Sequence, residues 1–327
     1  MCGYQLIREN LPRSNRFFVY PPVDSYVMSE QEKHEDKGRN GHVYTAAWVS
    51  IIGRPSSGKS TLLNALCGRK IAITAPSPQT TRNKIRGILN RPQGQLVFVD
   101  TPGYHTSDKK VNIYLRDLAV SALDESDLIL YVIDATRPPG EEEAQIAELL
   151  KPLSEKVVCF YNKTDLVQNP NPDAFSSARR GLVSGSALTG EGVDTLTDLL
   201  FSLSPEGDPL YPPEFYTDQV PEFRIGEIIR EKAVNKLRDE LPHALYVEIA
   251  DMEEHEGTLW VRAFIMVERE SQKGIVVGKQ GATLGAVRKE ALKELGEIFE
   301  HPIKLDLRVK AHPKWRKKDP LLKRLIH

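Results

Sequence analysis

From Tyr44 onward, short apolar runs alternate with segments of helical period. The runs are Ala46–Ile52, Leu96–Val99, Leu128–Ile133 and Val157–Tyr161, and helical patterns stand around Ser60–Cys67, Asn112–Leu123 and Glu141–Leu150. A further strand near Leu182 and a helix over Val193–Leu203 complete the series. This alternation predicts an α/β domain, a mostly parallel sheet with helices on both faces.

The pattern breaks over Ser204–Pro221, which holds five prolines (Pro205, Pro209, Pro212, Pro213, Pro221) and no sustained apolar period. Such a segment marks a domain boundary. Beyond it, Ile225, Ile228, Ile229 and Leu237 fall on one side of an amphipathic helix, and strands follow around Leu245–Ala250 and Thr258–Val267. A short helix, a Gly-x-x-Gly loop, a long helix over Ala282–Phe299 and a strand over Ile303–Val309 come next. The order α-β-β-α-α-β predicts a second, α+β domain. Residues 1–43 are polar and irregular, ending in the charged stretch Ser29–Gly41 with almost nothing to bury, and read as a mobile extension in which Met28 is a second candidate start. The expected division is an extension (1–43), an α/β domain (44–204), a linker (205–221), an α+β domain (222–310) and a basic tail (311–327).

A length of 327 residues agrees with two domains. The net charge of −1 says nothing about partners, but its distribution does. From Lys304 to the C-terminus nine Lys/Arg face two Asp/Glu, an excess of about +7 that leaves about −8 on the rest of the chain. A basic end suits a polyanionic partner. Cys2, Cys67 and Cys159 match no metal-ligand spacing, in keeping with a reducing compartment. No apolar run reaches the roughly 18 residues of a membrane span, and the N-terminus lacks a signal-peptide core. A soluble, cytoplasmic protein is expected.

The chemistry lies in five segments of the α/β half. Gly53-Arg54-Pro55-Ser56-Ser57-Gly58-Lys59-Ser60 fits G-x-x-x-x-G-K-[ST] between an apolar strand and a helix, the context a phosphate-cradling P-loop requires. Its backbone N–H groups and the helix N-terminus, with Thr61 in the first turn, would face phosphate oxygens. Lys59 would neutralise the β/γ-phosphates, and the Ser60 hydroxyl would bind Mg²⁺. Asp100-Thr101-Pro102-Gly103-Tyr104 follows a strand, so Asp100 is placed to reach the same Mg²⁺ and the Gly103 N–H to approach a γ-phosphate. Between these motifs, Thr81, with Thr80 as second choice, is the candidate to bind Mg²⁺ when a γ-phosphate is present and so to sense the nucleotide state.

Asn162-Lys163-Thr164-Asp165 follows the strand Val157–Tyr161 and selects the base. The Asp165 carboxylate can accept hydrogen bonds from N1–H and the exocyclic amine of guanine, whereas adenine offers no such pair. Ser186-Ala187, after the last strand, would bring a backbone N–H near guanine O6. GTP and GDP are therefore the expected ligands, with Lys59, Thr81 and Gly103 the groups closest to the chemistry.

These residues resemble the Era family, small bacterial GTPases of ribosome assembly, over about Tyr44–Trp315. The specific parts are Pro78-Gln-Thr-Thr-Arg82, Asp100-Thr-Pro-Gly-Tyr-His105, Ser186-Ala-Leu-Thr-Gly-Glu-Gly192, Glu227-Ile-Ile-Arg-Glu-Lys232, and Val267-Glu-Arg-Glu270 leading to Gly278-Lys-Gln-Gly281. The resemblance implies a P-loop GTPase domain followed by a type II KH domain. Its Gly278-Lys279-Gln280-Gly281 loop would clamp single-stranded RNA, with Lys279 on phosphate and Ile275, Val276 and Val277 as the groove floor. It also implies binding near the 3′ end of 16S ribosomal RNA and action on the 30S subunit, by a monomer with no DNA partner. Two features bear on mechanism. Ser56 stands where the family usually carries an Asn that helps hold potassium, which weighs against potassium dependence. Tyr104 follows Gly103 where many GTPases place a water-orienting Gln, so intrinsic turnover of about 10⁻⁴ to 10⁻² s⁻¹ is expected. Two alternatives fit a GTP site: an RNA-binding scaffold whose nucleotide is structural, and a signalling GTPase peripheral on the cytoplasmic face of the membrane, its Lys314–Lys318 cluster on anionic lipid.

Overall fold

The computed structural model describes residues 43–75, 81–104, 110–168, 180–238, 241–317 and 319–325. The expected extension, apart from Val43, lies outside the described residues, as does Thr80. Contacts divide the chain into two units that meet between Asp218 and Gln219.

The first unit contains β1 (Thr45–Ile52), α1 (Lys59–Leu66), β2 (Ile85–Arg91), β3 (Gly94–Asp100), α2 (Lys110–Asp124), β4 (Leu128–Asp134), α3 (Glu141–Leu150), β5 (Val157–Asn162), β6 (Gly181–Ser184) and α4 (Val193–Leu203). The sheet order is β2-β3-β1-β4-β5-β6, parallel throughout except for the antiparallel pair β2–β3. Every residue of β3, β4 and β5 is buried, as a parallel sheet covered on both faces requires. The chain leaves β1 toward β3 on one side and β4 on the other. This order opens a crevice at the C-terminal end of β1, where α/β sheets bind ligands. Strand β2 was not legible: Ile85-Arg-Gly-Ile-Leu-Asn-Arg91 has no clean period, and it forms because the short turn at Pro92-Gln93 folds it back onto β3.

The proline-rich segment before Gln219 packs against this unit rather than standing free. Ala46 N–H donates to the Pro205 carbonyl (3.1 Å), Gly207 N–H to that of Tyr44 (3.2 Å), and Ile88 N–H on edge strand β2 to that of Tyr216 (2.9 Å). The Tyr211 ring is buried, edge-on to Trp48 at 6.0 Å. Arg86 pairs with Asp218 at 2.6 Å. Covering an edge strand in this way hides hydrogen-bonding groups that would otherwise template association. At its centre is Gln95, fully buried. Its Nε2 donates to the Tyr211 carbonyl (2.8 Å) and Asn90 Oδ1 (2.7 Å), and its Oε1 accepts from Leu210 N–H (2.7 Å) and Tyr211 N–H (2.8 Å). Gln95→Leu would strand these partners and is expected to cost about 3 kcal/mol, lowering the melting temperature of this unit by about 6–12 °C. Calorimetry checks it; an unchanged midpoint would mean that the segment is not docked in solution.

The second unit contains α5 (Pro221–Lys236), a short α6 (Leu241–Ala244), β7 (Leu245–His255), β8 (Thr258–Val267), α7 (Glu270–Val277), α8 (Ala282–Ile298) and β9 (Ile303–Ala311). Strands β7 and β8 are antiparallel, and β9 joins β8 in parallel. This is the anticipated order with one extra short helix. Helices α5 and α8 pack together and against β7 and β9, burying Ile225, Ile228, Ile229, Val287, Ala291 and Leu295. The first part of the expected tail is folded: Trp315 is buried, its Nε1–H donating to the Ala244 carbonyl (3.0 Å), and Arg316 pairs with Glu268. Helix α9 (Asp319–Leu325) is grouped with the first unit. Among the described residues, no helix is long and apolar enough to cross a membrane.

Candidate functional site

The residues that sequence places at the nucleotide do converge at the C-terminal ends of β1, β3 and β5. In the P-loop, Gly58 has φ 96°, and a Cβ there would stand 2.3 Å from Asn162 Nδ2. Glycine is thus required both by the left-handed backbone and by the approach of the β5 loop. Lys59 is buried, and its Nζ donates to the carbonyls of Gly53 and Arg54, each at 3.1 Å. Burial lowers its pKa to about 8, against the opposing pull of Asp100 and Glu142. Ser57 is buried, Thr61 half-buried, and Ser56 exposed with φ 63°.

The three expected metal ligands meet. Ser60 Oγ donates to Asp100 Oδ2 at 2.7 Å, Thr81 Oγ1 lies 3.1 Å from the same oxygen, and the two hydroxyl oxygens are 2.8 Å apart. The fold thus brings Thr81 to this point, and Thr80 lies outside the described residues. Asp100 is wholly buried, and burial raises its carboxyl pKa against the pull of Lys59, Ser60 and Thr81. Its Oδ1 is enclosed with no hydrogen-bond partner. Hard oxygen donors with one carboxylate oxygen to spare fit Mg²⁺, which takes one or two carboxylates and fills its shell with water and phosphate.

Residues after Asp100 divide by role. Thr101 is buried and donates Oγ1–H to the Ile51 carbonyl (2.8 Å), so it holds β3 to β1 instead of facing a ligand. Pro102 and Gly103 are buried, and Gly103 rests against Pro55. Tyr104 N–H donates to the Gly53 carbonyl (3.1 Å), and its ring packs on the cluster around Ile52 and Tyr131.

The β5 loop works differently from the sequence reading. Asn162 Nδ2 donates to the Ser57 carbonyl (2.8 Å), while its Oδ1 accepts from Ala187 N–H (2.9 Å). Lys163 donates Nζ–H to the Ser56 carbonyl and to Asp134 Oδ2, both at 2.7 Å. Both side chains lock loops together. Asp165 is exposed, and Thr164 beside it has an enclosed Oγ1. The amides of Ser186 and Ala187 donate to the Glu191 carbonyl (3.0 Å) and to Asn162 Oδ1 (2.9 Å).

Two residues of this site were missed. Asp134 ends β4 and clamps Lys163; burial opposes its ionisation, but hydrogen bonds from Lys163 and Thr136 outweigh it and hold the carboxyl below its usual range. An acid closing an apolar strand is the signal that identified Asp100, and it applied here too. Glu143, buried on α3, pairs with Arg54 of the P-loop, and no local pattern links them.

In the second unit, α7 ends at Gly278, and Gly281 N–H donates to the Gly278 carbonyl (3.1 Å) before α8 begins. Lys279 and Gln280 are exposed at the tip, and Ile275 is 58% exposed beside them. Val277 is half-buried. Val276 is buried at 1% exposure, so it ties α7 to the core and cannot line a groove as expected.

Residues 48–163 match the family model described as 50S ribosome-binding GTPase, and residues 240–316 match that of the KH domain. The chain is 46% identical to GTPase Era of Treponema denticola over 290 residues, covering 85% of this chain and 98% of that one. It is 43% identical to GTPase Era of Borreliella burgdorferi over 288 residues, 86% and 99% of the two chains. Among solved structures it resembles Era in complex with MgGDPNP and nucleotides 1506–1542 of 16S ribosomal RNA. That match has a TM-score of 0.83 and 33% identity, covering 86% of this chain and 98% of the other.

Proposed function

Because the chain belongs to the Era family of GTPases, we propose that it is a Mg²⁺-dependent GTP switch that binds 16S ribosomal RNA near its 3′ end. Its work is assembly of the 30S subunit, carried out in the cytoplasm by a monomer. The observation that carries the switch is the meeting of Ser60, Thr81 and Asp100 around one carboxylate oxygen. GTP and Mg²⁺ would hold Thr81 there, and loss of the γ-phosphate would release it. When bound, Mg²⁺ neutralises charge between the β- and γ-phosphates. Lys59 binds those same oxygens, the P-loop amides orient them, and Gly103 backs the γ-phosphate. Tyr104 follows Gly103 where a water-orienting Gln would stand, so slow turnover is expected.

The RNA reading rests on the exposed Lys279 tip and Ile275 beside it. Lys279→Ala should weaken binding of a 16S 3′-end RNA about five- to tenfold and flatten the plot of log affinity against log salt by about one unit, the loss of one phosphate contact. Filter binding over a salt series in the GTP state checks this. Unchanged affinity and slope would remove Lys279 from the interface.

Ser56 predicts hydrolysis without potassium stimulation. Rates in potassium and sodium chloride should agree within about twofold, and Ser56→Asn should gain a potassium preference, since an amide oxygen at this turn adds a ligand for a monovalent ion acting on phosphate charge. A wild-type rate several-fold higher in potassium would overturn this.

A further inference from the structure

The P-loop is held from two sides. On one, Lys163 and Asn162 grip the carbonyls of Ser56 and Ser57. On the other, the Arg54 guanidinium leaves the loop and pairs through Nη1 with Oε1 of Glu143, with Glu142 Oε2 at 3.9 Å from its Nε. Glu143 is itself fixed. It is buried in the first turn of α3, and its Oε2 accepts the Gly140 N–H at 3.0 Å. The peptide that this pair anchors has two functional contacts. The Arg54 carbonyl accepts Lys59 Nζ at 3.1 Å, and the next residue, Pro55, is the surface on which Gly103 rests.

An ion pair with side-chain exposures of 14% and 8% contributes little net stability, because desolvation offsets most of the attraction. What it does supply is direction: a guanidinium held by a fixed carboxylate sets where residues 54 and 55 lie. The geometry points to Glu143 as a positioning residue for GTP hydrolysis, acting through Arg54 to set the Lys59 carbonyl cradle and the Pro55 surface behind Gly103. Gly103 matters to the γ-phosphate and not to GDP. Loss of the pair therefore slows hydrolysis while GDP binding persists, because Ser56 and Ser57 stay gripped from the other side. This inference rests on the P-loop reading of residues 53–60.

The experiment compares wild type, Glu143→Gln, Arg54→Met and the double variant. Gln keeps the size of Glu143 and its acceptor for Gly140 N–H, so the fold is retained. Single-turnover phosphate release, the Kd for a fluorescent GDP and the melting temperature are measured for each. The expected result is a five- to tenfold fall in hydrolysis rate for each single variant, with no further fall in the double variant, and for Glu143→Gln a Kd for GDP within twofold of wild type and a Tm within about 2 °C. Wild-type turnover with Glu143→Gln unaffected overturns the inference alone. Loss of GDP affinity and Tm together with rate also overturns it, by making the pair merely structural. Absence of turnover in the wild type overturns the functional reading and the inference with it.

Discussion

Asp165→Asn is expected to lose GTP and GDP affinity by a factor on the order of 10² to 10⁴ and to gain affinity for xanthosine nucleotides. On the proposed assignment the carboxylate would accept from N1–H and the exocyclic amine of guanine. An amide in its place turns one acceptor into a donor facing a donor, and xanthine, with a carbonyl where guanine carries its amine, restores the match. The size of the effect follows from the site's wiring. Asn162 and Lys163 are engaged with the P-loop and Asp134, so neither substitutes as a base reader. The same wiring predicts that the protein stays folded, since the exposed Asp165 side chain anchors none of these contacts. Competition of GTP, GDP and XDP against a fluorescent guanine nucleotide measures it. GTP affinity within threefold of wild type would sink the base assignment.

The sheet could be read from sequence because strands buried on both faces must be almost wholly apolar, and such runs are visible without knowledge of their neighbours. Edge strand β2 was not, because its run has no clean period, and neither was the docked proline-rich segment, because its hydrogen bonds are made to residues far along the chain: Tyr216 to Ile88, Phe215 to Asn90, Tyr211 to Gln95. Prolines that signal a break in periodicity say nothing about whether the chain then lies against a surface. The units divide between Asp218 and Gln219, toward the end of the 205–221 segment.

The site divides in the same way. Groups set in local motifs could be read by their spacing, and Ser60, Thr81 and Asp100 meet as the motifs imply. Groups that hold those motifs in place carry no such spacing. Asp134, Glu143 and the structural duty of Asn162 depend on which loops the sheet order brings together at its C-terminal edge. Thr101 and Val276 show the converse, motif members whose side chains turn inward and serve packing. A motif thus specifies the backbone path past the ligand more surely than the role of each side chain along it.

Gly103→Ala is the second large effect, and its argument is purely geometric. A Cβ on Gly103 would lie 2.8 Å from Pro55 Cα, 2.9 Å from Pro55 N and 3.0 Å from its Cγ. These are backbone and ring atoms, and Pro55 lies between Arg54, pinned by Glu143, and Ser56, gripped by Lys163. The P-loop therefore cannot yield by the several tenths of an ångström required, and the strand-end loop carrying Gly103 must retreat. Retreat withdraws its N–H from the γ-phosphate, and losing one such donor to a transferring group costs about 2.7–4 kcal/mol, a factor of 10² to 10³ in rate. GDP makes no use of that N–H, so its Kd should stay within about threefold of wild type. Single-turnover hydrolysis beside GDP titration separates the two. Rate and GDP affinity falling together would show that the clash had been relieved by moving the P-loop, and an unchanged rate would show that Gly103 does not serve the γ-phosphate.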